Sequence, residues 1–208
     1  MKRLFIAINL PEEIKTQITQ ILTQINTDIR DNPRFNQRES AFRWLPANNW
    51  HLTITFLGYQ PDDAIPVIVE SSKSAAKNYS HILENMRIVF DGISFGPTGK
   101  RPRMIWLVGT NETSKNLAVL KNTLEDELVK NGVKFQRENR PYNMHLTLAR
   151  FNIMKSDVQR KFYQYLGHRT SRDVGCPKIE FTPQSLDLME SYLKRTGAEY
   201  EVSAKIPF

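Results

Sequence analysis

The phrase His-Leu-Thr occurs twice, at His51–Thr53 and at His145–Thr147, in a chain of 208 residues with four histidines. Imidazole has an unperturbed pKa of about 6.5, so near neutrality it can either take or give a proton. A threonine two residues on adds a hydroxyl that can donate to a non-bridging phosphate oxygen. Two such pairs facing one another could divide acid–base work, one imidazole accepting a proton from water and the other supplying one to a leaving oxygen. That division needs no metal. The other histidines, His81 and His168, have no comparable setting.

Both phrases open apolar runs, "HLTITFLG" and "HLTLARF", that read as strands. Strict alternation puts His51, Thr53 and Thr55 on one face and Leu52, Ile54 and Phe56 on the other. It likewise sets His145, Thr147 and Ala149 against Leu146 and Leu148. One such strand is an ordinary event. Two, at matching places in two similar halves, point to the halves of one site.

Rival chemistries fit less well. No second zinc ligand stands at His-x3-His or Cys-x2-Cys spacing. There is no G-x-S-x-G nucleophile elbow, and "GPTGK" lacks the phosphate-loop pattern. The lone Cys176 lies between Gly175 and Pro177, a turn setting, and cannot form an internal disulfide.

Hydrophobic residues make up 40% and charged residues 25% of the chain, as in an ordinary globular protein. The net charge of +7 favours an anionic partner such as nucleic acid or a nucleotide. Basic residues gather at 99–103 and 134–140, which suits a cleft with basic rims, Arg101 and Arg103 among them. The opening "MKRLFIAINLPEE" has too short an apolar run for a signal peptide, and no stretch approaches the ~20 apolar residues of a membrane span. A cytoplasmic protein is expected, with no membrane partner and with monomer as the default.

The elements that must position the histidines follow from periodicity. A buried strand over "RLFIAINL" leads through Pro11 into a helix carrying Ile14, Ile18, Ile21, Leu22 and Ile25. A helix near Asp62 to Lys77 follows the first motif. Strands over "MRIVFDGISFGP" and "RMIWLVGT" precede a helix from Thr113 to Asn131, striped by Leu117, Leu120, Leu124 and Leu128. After the second motif come a helix over Ser156 to Leu166 and two strands, around "KIEFTPQSLDLMES" and "EYEVSAKIPF". This order predicts an α+β fold of two similar lobes, each a mostly antiparallel sheet with outer helices, around a central cleft.

The paired phrases, with "RLFIAINLP", "FRWLPANNWHLTITFLG", "FGPTGKRPRMIWL", "HLTLAR" and "LDLMESYLKRTGAEY" in that order, resemble the two-histidine phosphoesterase superfamily. Within it the chain is similar to the RNA 2′,3′-cyclic phosphodiesterases, also described as 2′-5′ RNA ligase-like, over nearly its whole length. The resemblance implies one bilobal domain over residues 1–208, with one motif per lobe. It implies metal-independent hydrolysis of RNA 2′,3′-cyclic phosphate ends, or cyclic nucleotides, to 2′-phosphomonoesters without a cofactor. A 5′-hydroxyl in place of water would join two ends through a 2′-5′ bond. His51 would be the general acid and His145 the general base, with Thr53, Thr147 and Arg150 holding the phosphate.

Two features depart from that pattern. Alternation sets Arg150 on the face opposite His145, so its role requires a bulge or the strand's end at that position. Met144 stands where relatives commonly have proline. Phe42, Trp44, Phe56, Phe135 and Tyr142 are the candidates for a ring that stacks on the base. Two other readings stay open: a 2′-5′ oligonucleotide phosphodiesterase using the same histidines, and an RNA-end-binding protein.

Overall fold

The computed structural model describes residues 1–31, 42–83, 85–97, 103–151, 178–195 and 197–208. The expected helix over 156–166, and Arg101, His168 and Cys176, lie outside them. In chain order the elements are β1 (Lys2–Asn9), α1 (Glu12–Asp31), β2 (Phe42–Trp44), a 3-10 turn (Ala47–Asn49), β3 (His51–Gln60), α2 (Ala64–Asn78), α3 (Ser80–Leu83), β4 (Ile88–Gly96), β5 (Met104–Gly109), α4 (Asn111–Lys130), β6 (His145–Phe151), β7 (Ile179–Phe181), β8 (Ser185–Lys194) and β9 (Gly197–Pro207).

Two antiparallel sheets result, one in the order β3-β1-β8-β9 and the other β2-β6-β5-β4-β7. Each motif strand pairs with one central neighbour, β3 with β1 and β6 with β5, so the two lobes share a layout. They are not, however, the two halves of the sequence. The first sheet takes β1 and β3 from the start of the chain and β8 and β9 from the end; the second takes the middle. The single strand expected over "KIEFTPQSLDLMES" is two, β7 and β8, in different sheets. Pro183 falls between them, where its missing N–H costs neither ladder a bond.

Local chemistry accounts for the helices. Glu12 and Glu13 sit in the first turn of α1, at the positive end of its dipole. Ile14, Ile18, Leu22 and Ile25 are buried along one stripe. In α4 the Thr110 hydroxyl accepts the Thr113 N–H, and the predicted leucine stripe is fully buried. The helix stops at Asn131 and Gly132, whose φ of +83° lets the Val133 N–H return to the Leu128 carbonyl. Pro66 stands in the first turn of α2 rather than ahead of it, where its absent N–H has no intrahelical partner to lose.

One contiguous apolar core joins Leu4, Ile6 and Ile8 of β1 to the stripes of α1 and α4 and to Leu146 and Leu148 of β6. α2 packs on α4 and β9, α4 on β3, and α1 on β7. A second, small cluster of Phe5, Ala7 and Met189, with Tyr200 against it, lies on the other face of the first sheet. That is the face that carries His51.

Candidate active site

The register of β3 against β1 is not regular. Thr53 pairs with Ala7 and Thr55 with Ile6, leaving Ile54 unpaired as a bulge; a second shift leaves Leu57 unpaired. A bulge reverses the alternation beyond it. So Thr55 does not share the histidine face. It is 4% exposed on the core side, and its hydroxyl donates to Glu125 Oε1 at 2.7 Å. Phe56, expected with Leu52 in the core, instead pairs with Phe5 on the His51 face and is 59% exposed.

The second motif bulges at the corresponding residue. Thr147 pairs with Trp106 and Ala149 with Ile105, leaving Leu148 unpaired, its carbonyl taken by the Leu45 N–H at 2.8 Å. Arg150 therefore returns to the face of His145 and Thr147 and is exposed there. The condition that alternation set for Arg150 is met. Ala149, like Thr55, moves to the core.

The chain brings the two motifs together in two ways. β2 runs along β6 and leads through the 3-10 turn directly into His51. The Tyr142 hydroxyl, three residues before His145, donates to the Thr53 carbonyl at 2.9 Å. Burial pushes that phenol's pKa far up, so it remains a donor throughout the working range. Nearby, Gln60 Nε2 donates to the Lys134 carbonyl at 2.8 Å, and Lys121 Nζ lies 2.8 Å from Glu125 Oε1, both side chains nearly buried. β3 of one lobe is thus tied to α4 and the 134–144 segment of the other.

Each imidazole is oriented by backbone rather than by an acid. His145 Nδ1 lies 2.8 Å from the Asn143 carbonyl, and His51 makes the corresponding bond to the Asn49 carbonyl, again two residues back. One ring nitrogen is thereby held as N–H and the other left for proton transfer. Aromatic walls surround both rings: Phe5 at 4.9 Å and the Tyr200 edge at 4.8 Å for His51, and Trp106 at 4.1 Å for His145. Burial lowers the His51 pKa to about 4, the Asn49 carbonyl opposing it. Burial also lowers that of His145, opposed by the Asn143 carbonyl and the Glu138 charge. In the ligand-free protein burial thus disfavours the charged form of both rings, and His51 is neutral at pH 7.

Of the five candidate rings, Phe42 is in the core, Tyr142 is tied to β3, Phe135 packs against the core and Trp44 gives its indole N–H to Asn26 Oδ1. Phe56 alone of the five is open and on the His51 face. Arg103 immediately precedes β5 and is exposed, its carbonyl accepting the Phe151 N–H at 2.9 Å.

Sequence reasoning missed Phe5, Tyr200, Trp106, Asn9 and Arg43. Asn9 pairs with His51 and gives its amide to Asp187 Oδ2 at 2.6 Å; Asp187 also accepts from the Ser185 hydroxyl. Arg43 pairs directly with Arg150. Phe5, Ala7 and Asn9 alternate in β1, a signal that becomes useful only once the pairing with β3 is known. No cluster of three or more His, Cys, Asp or Glu side chains able to hold a metal occurs among the described residues, nor does any helix there long and apolar enough to cross a membrane.

RNA 2′,3′-cyclic phosphodiesterases are similar along most of the chain. That of Thermotoga maritima is 26% identical over 99% of this chain and 95% of its own length; that of Escherichia coli is 32% identical over 72% of each. A solved protein of Thermus thermophilus superposes with a TM-score of 0.65 at 21% identity, covering 99% of this chain and 97% of its own. Escherichia coli LigT complexed with 3′-AMP does so at 0.56 and 22%, covering 100% and 98%. The profile of the AKAP7 2′5′ RNA ligase-like domain matches residues 4–208, and the chain belongs to that family.

Proposed function

We propose that this protein is an RNA 2′,3′-cyclic phosphodiesterase, a single bilobal domain that opens the cyclic phosphate of an RNA 3′ end, or of a cyclic nucleotide, to a 2′-phosphomonoester. The observation that supports it most is the pair of bulged strands, each offering an imidazole with one nitrogen pinned by a carbonyl and a threonine beside it. In this scheme the hydroxyls of Thr53 and Thr147 and the guanidinium of Arg150 hold the non-bridging oxygens. The free nitrogen of His145 takes a proton as water oxygen bonds to phosphorus. The bond from phosphorus to the 3′ oxygen breaks, and His51 gives that oxygen its proton. A 5′-hydroxyl in place of water leaves the two RNA ends joined by a 2′-5′ bond; in dilute aqueous solution hydrolysis dominates.

The acid role requires His51 to hold a proton that burial opposes in the free protein. The cyclic phosphate brings one negative charge against the ring, and an adjacent anion favours the imidazolium. Substrate binding is therefore linked to proton uptake. The decisive experiment incubates a short RNA ending in a 2′,3′-cyclic phosphate with the protein in EDTA and identifies the product isomer. A 2′-phosphate, lost in H51A and in H145A, is expected. A 3′-phosphate would reverse the regiochemistry. Cleavage confined to internal 2′-5′ linkages would reassign the substrate, and binding without turnover would sink the enzymatic reading.

A further inference from the structure

β2 contributes three residues to the second sheet, and Arg43 is the middle one, directly opposite Arg150. Directly paired strand residues project to the same face, so both guanidiniums lie on the side that carries His145 and Thr147. Two guanidiniums side by side on one face offer charge-assisted, forked hydrogen bonds to phosphate groups that approach it. The far end of Arg43 is also fixed. Its Nη2 lies over Gly197, so close that a β-carbon there would stand 3.2 Å away. Gly197 opens β9, and Tyr200, three residues on, places its ring edge 4.8 Å from His51. The Asn49 amide closes the same corner by donating to the Ala198 carbonyl at 2.9 Å. Arg43 thus stands where the two lobes meet, one strand beyond the arginine assigned to the reacting phosphate. A guanidinium has five N–H donors, enough to meet the β9 turn and a phosphate together.

The lobes differ in what they offer here. The first presents an open ring, Phe56, paired with Phe5, at the position where the second presents Arg150 paired with Arg43. We propose that Arg43 binds the phosphodiester one nucleotide to the 5′ side of the reacting phosphate, so that the preferred substrate is an oligonucleotide end rather than a cyclic mononucleotide. This rests on the reading of the reaction given above. The terminal base lies toward the first lobe and the RNA backbone leaves along the second.

The test compares a nucleoside 2′,3′-cyclic phosphate with an RNA tetranucleotide ending in the same group, for the wild type and for Arg43→Gln. Arg43→Gln raises KM for the tetranucleotide about 10-fold, leaves the mononucleotide within 2-fold, and lowers the salt slope of tetranucleotide binding by about 0.7. If Arg43→Gln fails to fold, Arg43→Lys is measured instead; it keeps the charge and most of the salt slope but loses the forked geometry. The wild type's own salt slopes then decide, being steeper for the tetranucleotide than for the mononucleotide. Equal losses on both substrates, or no loss on either, overturn this inference alone. A wild type that hydrolyses neither substrate overturns the reaction on which it rests.

Discussion

Up to Thr53 and Thr147 the two motif strands are nearly interchangeable: the same tripeptide, the same carbonyl two residues back, the same bulge one residue on. Beyond the bulge they part. Thr55 reaches a buried carboxylate, whereas Ala149 joins the apolar core. Five residues after its histidine one strand has Phe56 and the other Arg150. Among the described residues β3 is the edge of its sheet, while β6 is flanked by β2. In the proposed reaction the shared part is what proton transfer and one phosphate demand. The unshared part is where an enzyme can tell the ring of a nucleotide from its phosphate chain.

Breaking the shared part has the largest effect. H51A and H145A should each lower kcat about 10³-fold, the middle of the range for a positioned acid or base. The double variant should fall little further, since groups acting as one unit are not additive. A single variant that kept its kcat would end the equivalence of the lobes.

Next is the asymmetric tie at Thr55. Glu125→Ala strands the Lys121 ammonium in a buried site and should cost about 3–5 kcal/mol in urea unfolding. A cost below 1 kcal/mol would mean that water enters there.

The third prediction uses acid. The His51 pKa of about 4 lies below the ~6.5 of an unfolded imidazole, so between those values the unfolded chain holds the extra proton. Stability is full above about pH 6.5 and falls as pH drops toward 4, by at most about 3 kcal/mol from this group. His145 acts in the same direction. His51→Asn should flatten that fall in denaturation midpoints measured between pH 7 and 4.5; an unchanged slope would assign it elsewhere.

The smallest effect sharpens the difference between ring and cation. Phe56→Ala should raise KM about 10-fold with kcat kept, as expected for a lost base–ring stack. Phe56→Tyr should restore it. A Phe56→Ala that lowered kcat at constant KM would place the ring elsewhere in the cycle.

Much of this was legible in the residues. The repeated His-x-Thr phrase, the leucine stripe of α4 and the α+β order all follow from side-chain type and period. The bulges do not. Ile54 and Leu148 sit in runs whose polar and apolar residues alternate as a regular strand would, and only pairing against β1 and β5 exposes the extra residue. From that one hidden residue per strand came the misplacement of Thr55 and Phe56 and the apparent misplacement of Arg150. Arg43 was hidden for the same reason: its neighbour is set by register, over a sequence separation that local pattern does not span. The split of β7 from β8 at Pro183 was visible in principle, since proline is poorly tolerated inside a central strand.

The first sheet has a further consequence, for the order in which the protein is made. The Asn9–Asp187 bond closes a separation of 178 residues, and β1 lies between β3 and β8. A chain leaving the ribosome N-terminus first can pair β1 with β3, and β4, β5 and β6 with one another, as they emerge, but the other edge of β1 must wait for β8, and Tyr200 arrives later still. His145 therefore completes its surroundings before His51 does, and the nascent protein has half of the proposed proton-transfer pair in place before it can turn over an RNA end.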